Sequence, residues 1–316
     1  MPFRSLTARA QILHINAFMV SVRQTLALTL DDHWSQFHAF LRKCRQKPKR
    51  GSVHDLRTNA RQLVQALDLM SCIGQKQKKQ QKKTIFRLRK QIRDAFHLTG
   101  DMRDLQVIEK TLENDELGSQ LKGLLKYTKK KIKIEQKSVR DKCAKAHPKR
   151  MGMAVLELNE SLFSSTSAVE SGKWEKRERE LLLDELDDQF NTVRVCAERA
   201  NSTAPASVHP VRIEFKKYRY ACEILAPYLA MTDETKKRMK DFQTLLGNIQ
   251  DSQVMIEYIY RYIRSLKNVD PDEPLINYLR VCEQRQQDYV SNFCKDLNKH
   301  LHSVNLRLQK SELKVA

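Results

Sequence analysis

Two stretches of the chain set a histidine, an arginine and a further cation at the same offsets. In VHDLRTNARQL, residues 53–63, they are His54, Arg57 and Arg61 at 0, +3 and +7. In VHPVRIEFKKYRY, residues 208–220, they are His209, Arg212 and Lys216, with Lys217 next in sequence and Arg219 at +10. On an α-helix these offsets fall along one stripe, rising about 5.4 Å per turn. Arginine can hold phosphate oxygens in pairs through its planar fork, while lysine acts as a point charge. Histidine adds a donor that strengthens on protonation near its ordinary pKa of about 6.5. The chemistry on offer is the binding of an anion with regularly spaced charges, although a histidine at a helix start can also pack or cap. Neither histidine has a second His or acid at H-x-x-x-H or H-x-x-E spacing, so no metal site is expected.

Further cations recur at helical spacing. Arg89, Lys90 and Arg93 follow Lys82 and Lys83 in one segment, and Lys237 and Lys240 follow Lys236 in another. Lys126, Lys130, Lys133 and Lys137 repeat at 0, +4, +7 and +11, opposite Leu121, Leu125 and Ile132. Like charges one turn apart destabilise an isolated helix. Several helices doing this together point to an absent polyanion as the partner, rather than to solvated faces alone.

The charge is lopsided. Residues 1–150 hold 34 Lys/Arg against 13 Asp/Glu, whereas residues 151–316 hold 24 against 25, so the whole excess of the +20 chain lies in the first half. Such a field concentrates polyanions near one side of a molecule. Seven scattered cysteines without a C-x-x-C pair suggest reduced thiols and an intracellular, cytoplasmic setting. No apolar run is long enough to span a bilayer. Arg4, Arg9 and Arg23 without an acid in the first 30 residues weakly resemble a presequence. The apolar stripe Leu6, Ile12, Leu13 and Val20 instead predicts a packed opening helix.

The elements that must carry these residues are helices. Leu56, Ala60, Leu63 and Leu67, then Val211, Phe215, Tyr218, Cys222 and Leu225, follow the helical period. The pattern predicts helices at 5–29, 31–46, 53–72, 78–99, 101–114, 117–146, 174–201, 207–229, 232–247, 250–267 and 273–306. Pro148, Gly152, the tract SLFSSTS and Gly172 mark 147–173 as a connection. The expected organisation is an N-terminal helix (1–30), a strongly basic bundle (31–146), the connection, a second bundle (174–310) and a tail (311–316).

Helix for helix, 31–46, 53–72, 78–99, 101–114 and 117–146 pair with 174–201, 207–229, 232–247, 250–267 and 273–306, as an internal duplication would produce. TGDMRDLQV (99–107) and LGNIQDSQV (246–254) reinforce this, each placing Asp four residues and Val seven after a Gly. The glycines suit helix C-termini. Asp104 and Asp251 suit the start of the next helix, as structural rather than catalytic residues.

These motifs resemble the conserved histidine alpha-helical domain, or CHAD, family over about residues 31–310. The resemblance implies an all-α fold of two pseudo-symmetric four-helix bundles with a basic central surface or cavity that binds inorganic polyphosphate. It places phosphate contacts at His54, Arg57, Arg61, Arg89 and Arg93, and at His209, Arg212, Lys216, Lys217, Arg219 and Lys240. Lys90, Lys126, Lys130, Lys133 and Lys237 extend the set as neighbouring cations. The first motif departs from the family pattern at Gln62 and Val64, and the first Gly signature departs at Thr99.

The expected function is therefore non-catalytic polyphosphate binding without cofactor or metal, in the cytoplasm or on polyphosphate granules. Nucleic acid, as a weaker polyanion partner, is the alternative. Against it, the basic helices lack interleaved aromatics for base stacking and carry no recognition motif. A phosphohydrolase or triphosphatase is a third class. The E-x-E-x-K strand of the triphosphatase domain often fused to this family is absent, as are a P-loop and a Mg²⁺-holding acid cluster.

Overall fold

The computed structural model describes residues 21–73, 79–163, 171–229, 231–266 and 270–306. The expected helix over 5–29 lies largely outside them, as does the tail 311–316. Where it is described, the chain is helical throughout. Ser21 opens α1 (Val22–Gln46) through a capping box with Gln24. The expected break near residue 30 does not occur, because Leu26, Leu30, Phe37 and Leu41 continue one buried stripe.

The first half continues with α2 (Arg50–Ile73), α3 (Lys79–His97), α4 (Gly100–Asn114), the short α5 (Glu116–Gln120) and α6 (Lys122–Ala144). Residues 148–163, expected within a connection, instead form α7 (Pro148–Phe163). Its Met151, Val155, Leu158 and Leu162 recur at 0, +4, +7 and +11 and are all buried, so the helix has a core face despite Pro148 and Gly152. It packs against α1 and α3, which closes a ring of four helices, α1–α2–α3–α7. Helix α6 packs outside that ring, against α1 and α4.

The second half holds α8 (Ser171–Glu198), α9 (His209–Ile224), α10 (Asp233–Ser265), α11 (Glu273–Lys295) and α12 (Leu297–Val304). Thr232 caps α10, and Asp272 caps α11. Here a second expectation fails. The segments 232–247 and 250–267 are one helix, and Gly247 lies in its interior instead of ending it. Phe242, Leu246, Ile249, Met255 and Ile256 are buried on both sides of the glycine, so packing carries the helix past a residue of low propensity. The pairing of helices between halves therefore breaks at this point, where α3 and α4 are separate and α10 is continuous.

The halves share one buried apolar cluster. Polar links cross between them as well. The Arg23 guanidinium donates to the buried Glu178 carboxylate at 2.6 and 2.9 Å, and the Val22 N–H donates to Glu175 at 3.1 Å. Helix α2 packs against both α8 and α9, and α4 packs against α10. This brings the two His motifs and the two Gly signatures together.

Candidate anion-binding site

The N-terminal part of α2 carries His54, Arg57 and Arg61 on the side away from buried Leu56, Ala60 and Leu63. Helix α9 likewise turns Val211, Phe215 and Tyr218 inward, leaving Arg212 and Lys216 half-buried and His209 exposed. Helices α2, α4, α10 and α9 pack pairwise in that cyclic order. At their junction the cations converge. Arg57 feels the charges of Arg61, Arg103 and Arg212; Arg212 feels Arg61; Lys216 feels Arg61, Arg212 and Arg219.

For Arg57 and Lys216, loss of solvation is the first cause lowering the pKa, and the neighbouring positive charges add to it. Arg57 is brought down to about 10 and Lys216 to about 6. Arg103, Arg212 and His54 are also shifted down, with loss of solvation again the first cause. The site is open rather than enclosed: His54, His209, Asp104 and Asp251 are exposed, and the central cations are half-buried.

Two carboxylates face this cluster. Asp104 is the fifth residue of α4, near a helix start as expected, whereas Asp251 lies in mid-α10, away from any helix start. Loss of solvation raises both carboxyl pKa values. For Asp104 Arg57 is the main opposing charge, and for Asp251 it is Arg212, followed by Lys216 and Arg103. Yet among the described residues no carboxylate comes within 4 Å of Arg61, Arg103, Arg212 or Lys216. The Nε atoms of Arg212 and Arg219 are buried without a hydrogen-bond partner. A buried charged donor without an acceptor is costly.

Individual residues of the motifs differ in role. Arg57 donates to the Phe96 carbonyl at 2.7 Å and stacks over the Phe96 ring at 3.9 Å. It thus serves the C-terminus of α3, where backbone acceptors are free and a cation is favoured. Buried Thr99 donates to the same carbonyl at 2.9 Å. Gly100 opens α4 directly beside this pair and does not close α3. Arg61 lies over the same ring at 4.7 Å, and among the described residues no acceptor takes its donors. The His209 ring donates from Nδ1 to the Gln250 side-chain carbonyl.

Of the other expected residues, Arg219 acts on Lys216 at the edge of the junction while pairing with Glu223, and the rest lie apart from it. Arg89 pairs with Asp68 at 2.6 Å, and Asp68 also feels Arg93 and Lys217, so these cations gather around a carboxylate between α2 and α3. Lys217 pairs further with Glu214 at 2.7 Å, Lys90 with Asp94 at 3.0 Å, and Arg219 with Glu223 at 2.9 Å. Lys237 and Lys240 are exposed on α10, with Lys240 about 16 Å along the axis from Asp251. Lys126, Lys130 and Lys133 are exposed on α6, and none acts on the central cations.

Arg103 was not anticipated from sequence. Its signal is its place inside the first Gly signature, directly before Asp104, where the second signature has Gln250. The spacing of the Gly signatures pairs Asp104 with Asp251, but only Asp104 lies near a helix start.

The sequence model of the CHAD domain matches residues 28–259. No curated protein matches the chain. Among solved structures, the crystal structure of the CHAD domain from the plant Ricinus communis is similar at a TM-score of 0.59 and 15% identity, covering 91% of this chain and 93% of that one. PptA from Streptomyces chartreusis is similar at a TM-score of 0.50 and 15% identity, covering 89% and 99%. At these identities the structures bear on the fold alone, and the match over most of the sequence carries the assignment: the chain belongs to the CHAD domain family.

Proposed function

We propose that the protein binds inorganic polyphosphate at the junction of α2, α4, α9 and α10 without chemically altering it, in the cytoplasm or on polyphosphate granules. The observation that carries this reading is the group of Arg61, Arg103, Arg212 and Lys216, gathered with no carboxylate at ion-pair distance among the described residues. The unpartnered buried Nε of Arg212 points the same way. An oligoanion would supply acceptors to these donors and offset the repulsion among them. Arg57 and Phe96 hold the α2 side of the cluster in place. Asp104 and Asp251 restrain the cations when no ligand is bound.

The resemblance of the two His motifs to the CHAD pattern supports polyphosphate over other anions. So does the covering of the Phe96 ring by Arg57 and Arg61, which takes up its face rather than leaving it to a base. The test is competition across a salt titration. Long-chain polyphosphate displaces a labelled polyphosphate at concentrations where duplex DNA of equal charge competes poorly. Equal displacement by DNA would leave only a generic basic surface. A phosphate-release assay with divalent metal ions tests binding without turnover.

A further inference from the structure

Helix α6 carries the other concentration of cations, and it packs against α4 and α10, two of the helices that form the junction. Its buried residues Leu124, Thr128, Ile132 and Val139 face the protein, while Lys126, Lys130 and Lys133 are exposed. The two cationic regions are connected. Arg50, the first residue of α2, contacts Glu109 at 3.2 Å and Glu113 at 3.8 Å, both through Nη2. Lys129 of α6 holds the same Glu113 at 3.1 Å. At its other side, Arg50 is among the charges that act on Arg103. Glu109 and Glu113 are thus matched by Arg50 and Lys129, and the distance from Arg103 to Glu113 along α4 is about 15 Å. Beyond Lys129, the α6 row continues at one-turn spacing with no acid paired to Lys126, Lys130 or Lys133 among the described residues.

We propose that Arg50 and the α6 lysine row form a track along which a polyphosphate strand leaving the junction continues, so that long chains are held more tightly than short ones. This rests on the polyphosphate reading of the junction. A short oligomer fills the arginine cluster alone. A long one also neutralises the row, gaining affinity by intramolecular engagement of a second surface. The row uses lysines, which tolerate any register of the strand, whereas the junction uses arginines, whose forks fix it.

The experiment titrates the full chain with tripolyphosphate and with long-chain polyphosphate at physiological salt, where screening over about 8 Å suppresses general field effects. The variants are the triple substitution Lys126→Gln, Lys130→Gln, Lys133→Gln and, separately, Arg212→Gln. The triple variant is expected to lose about tenfold or more in long-chain affinity, with a salt slope shallower by roughly 2. Its tripolyphosphate affinity stays as in the wild type. Unchanged long-chain affinity, or equal loss for both lengths, overturns the track. So does a triple variant that loses only duplex DNA binding, since the row would then be a nucleic-acid surface. Arg212→Gln is expected to weaken both lengths. If it weakens neither, the junction itself is not the site, and that failure is distinct from failure of the track.

Discussion

Arg61 of α2 and Lys216 of α9 occupy the +7 positions of the two His motifs, and the charge of Arg61 is the foremost neighbouring charge holding Lys216 in its neutral form. Two cations that share a place in sequence thus repel each other in space, and this repulsion adds to the loss of solvation that is the larger cause of the low Lys216 pKa. Arg212 and Arg219 press on Lys216 in the same sense, and only Asp251 opposes them.

Proton uptake on binding follows. With a pKa of about 6, Lys216 is mostly neutral in the free protein at neutral pH, and a bound polyanion favours its charged form. The bound state therefore holds more protons. Affinity should rise as pH falls from about 8 to about 6 and level off below, where the free ammonium is already charged. His54, also shifted down, acts in the same direction. Calorimetry in buffers of differing ionisation enthalpy is expected to show uptake on the order of one proton. Lys216→Arg should remove most of it, and His54→Ala the remainder. A profile unchanged in all of these variants would contradict the assignment.

Equivalent motif positions should respond in opposite ways to mutation. Arg57 satisfies the Phe96 carbonyl and stacks on its ring, so Arg57→Leu is expected to lower stability by about 1–3 kcal/mol. Arg212 has no such partner, and its buried Nε is unsatisfied. Arg212→Gln should leave the unfolding midpoint in urea unchanged or higher while abolishing most polyphosphate affinity. Parallel destabilisation by the two substitutions would show that Arg212 is structural as well.

The internal carboxylates give the reverse pattern. Asp251 moderates Arg212, Lys216 and Arg103, so Asp251→Asn leaves those cations less balanced. The ligand-free protein is expected to melt lower, polyphosphate to restore more of the loss than in the wild type, and affinity for it to rise severalfold. A drop in affinity would mean that Asp251 orients the cations rather than competing with the ligand.

The helices and the two motifs were legible in sequence because periodicity and spacing are local properties. The stripes of His54, Arg57 and Arg61, and of His209, Arg212 and Lys216, needed no tertiary information. Which cations converge did need it. Lys126, Lys130 and Lys133 carry as clear a period as the Arg stripes, yet they lie on α6, outside the four helices that form the junction. Arg103 belongs to no cationic period at all and reaches the cluster only because α4 packs on α10. Helix α7 was hidden by its proline, its glycine and the serine tract after it. Its four apolar residues at helical spacing were the signal to follow.

Gly247 suits a helix end by its sequence context, yet it is an interior residue of α10. A Cβ added there meets nothing within 4 Å, and its φ is not in the left-handed region. Glycine in a helix interior costs about 1 kcal/mol relative to alanine, through the freedom it retains when unfolded. Gly247→Ala should therefore stabilise the protein by about 0.4–1 kcal/mol in denaturant unfolding. It should leave polyphosphate affinity unchanged, since the substitution adds no charge and touches no cation. A destabilised Gly247→Ala variant would mean that α10 breaks at this glycine, as the sequence alone suggested, and that 232–247 and 250–267 are two helices after all.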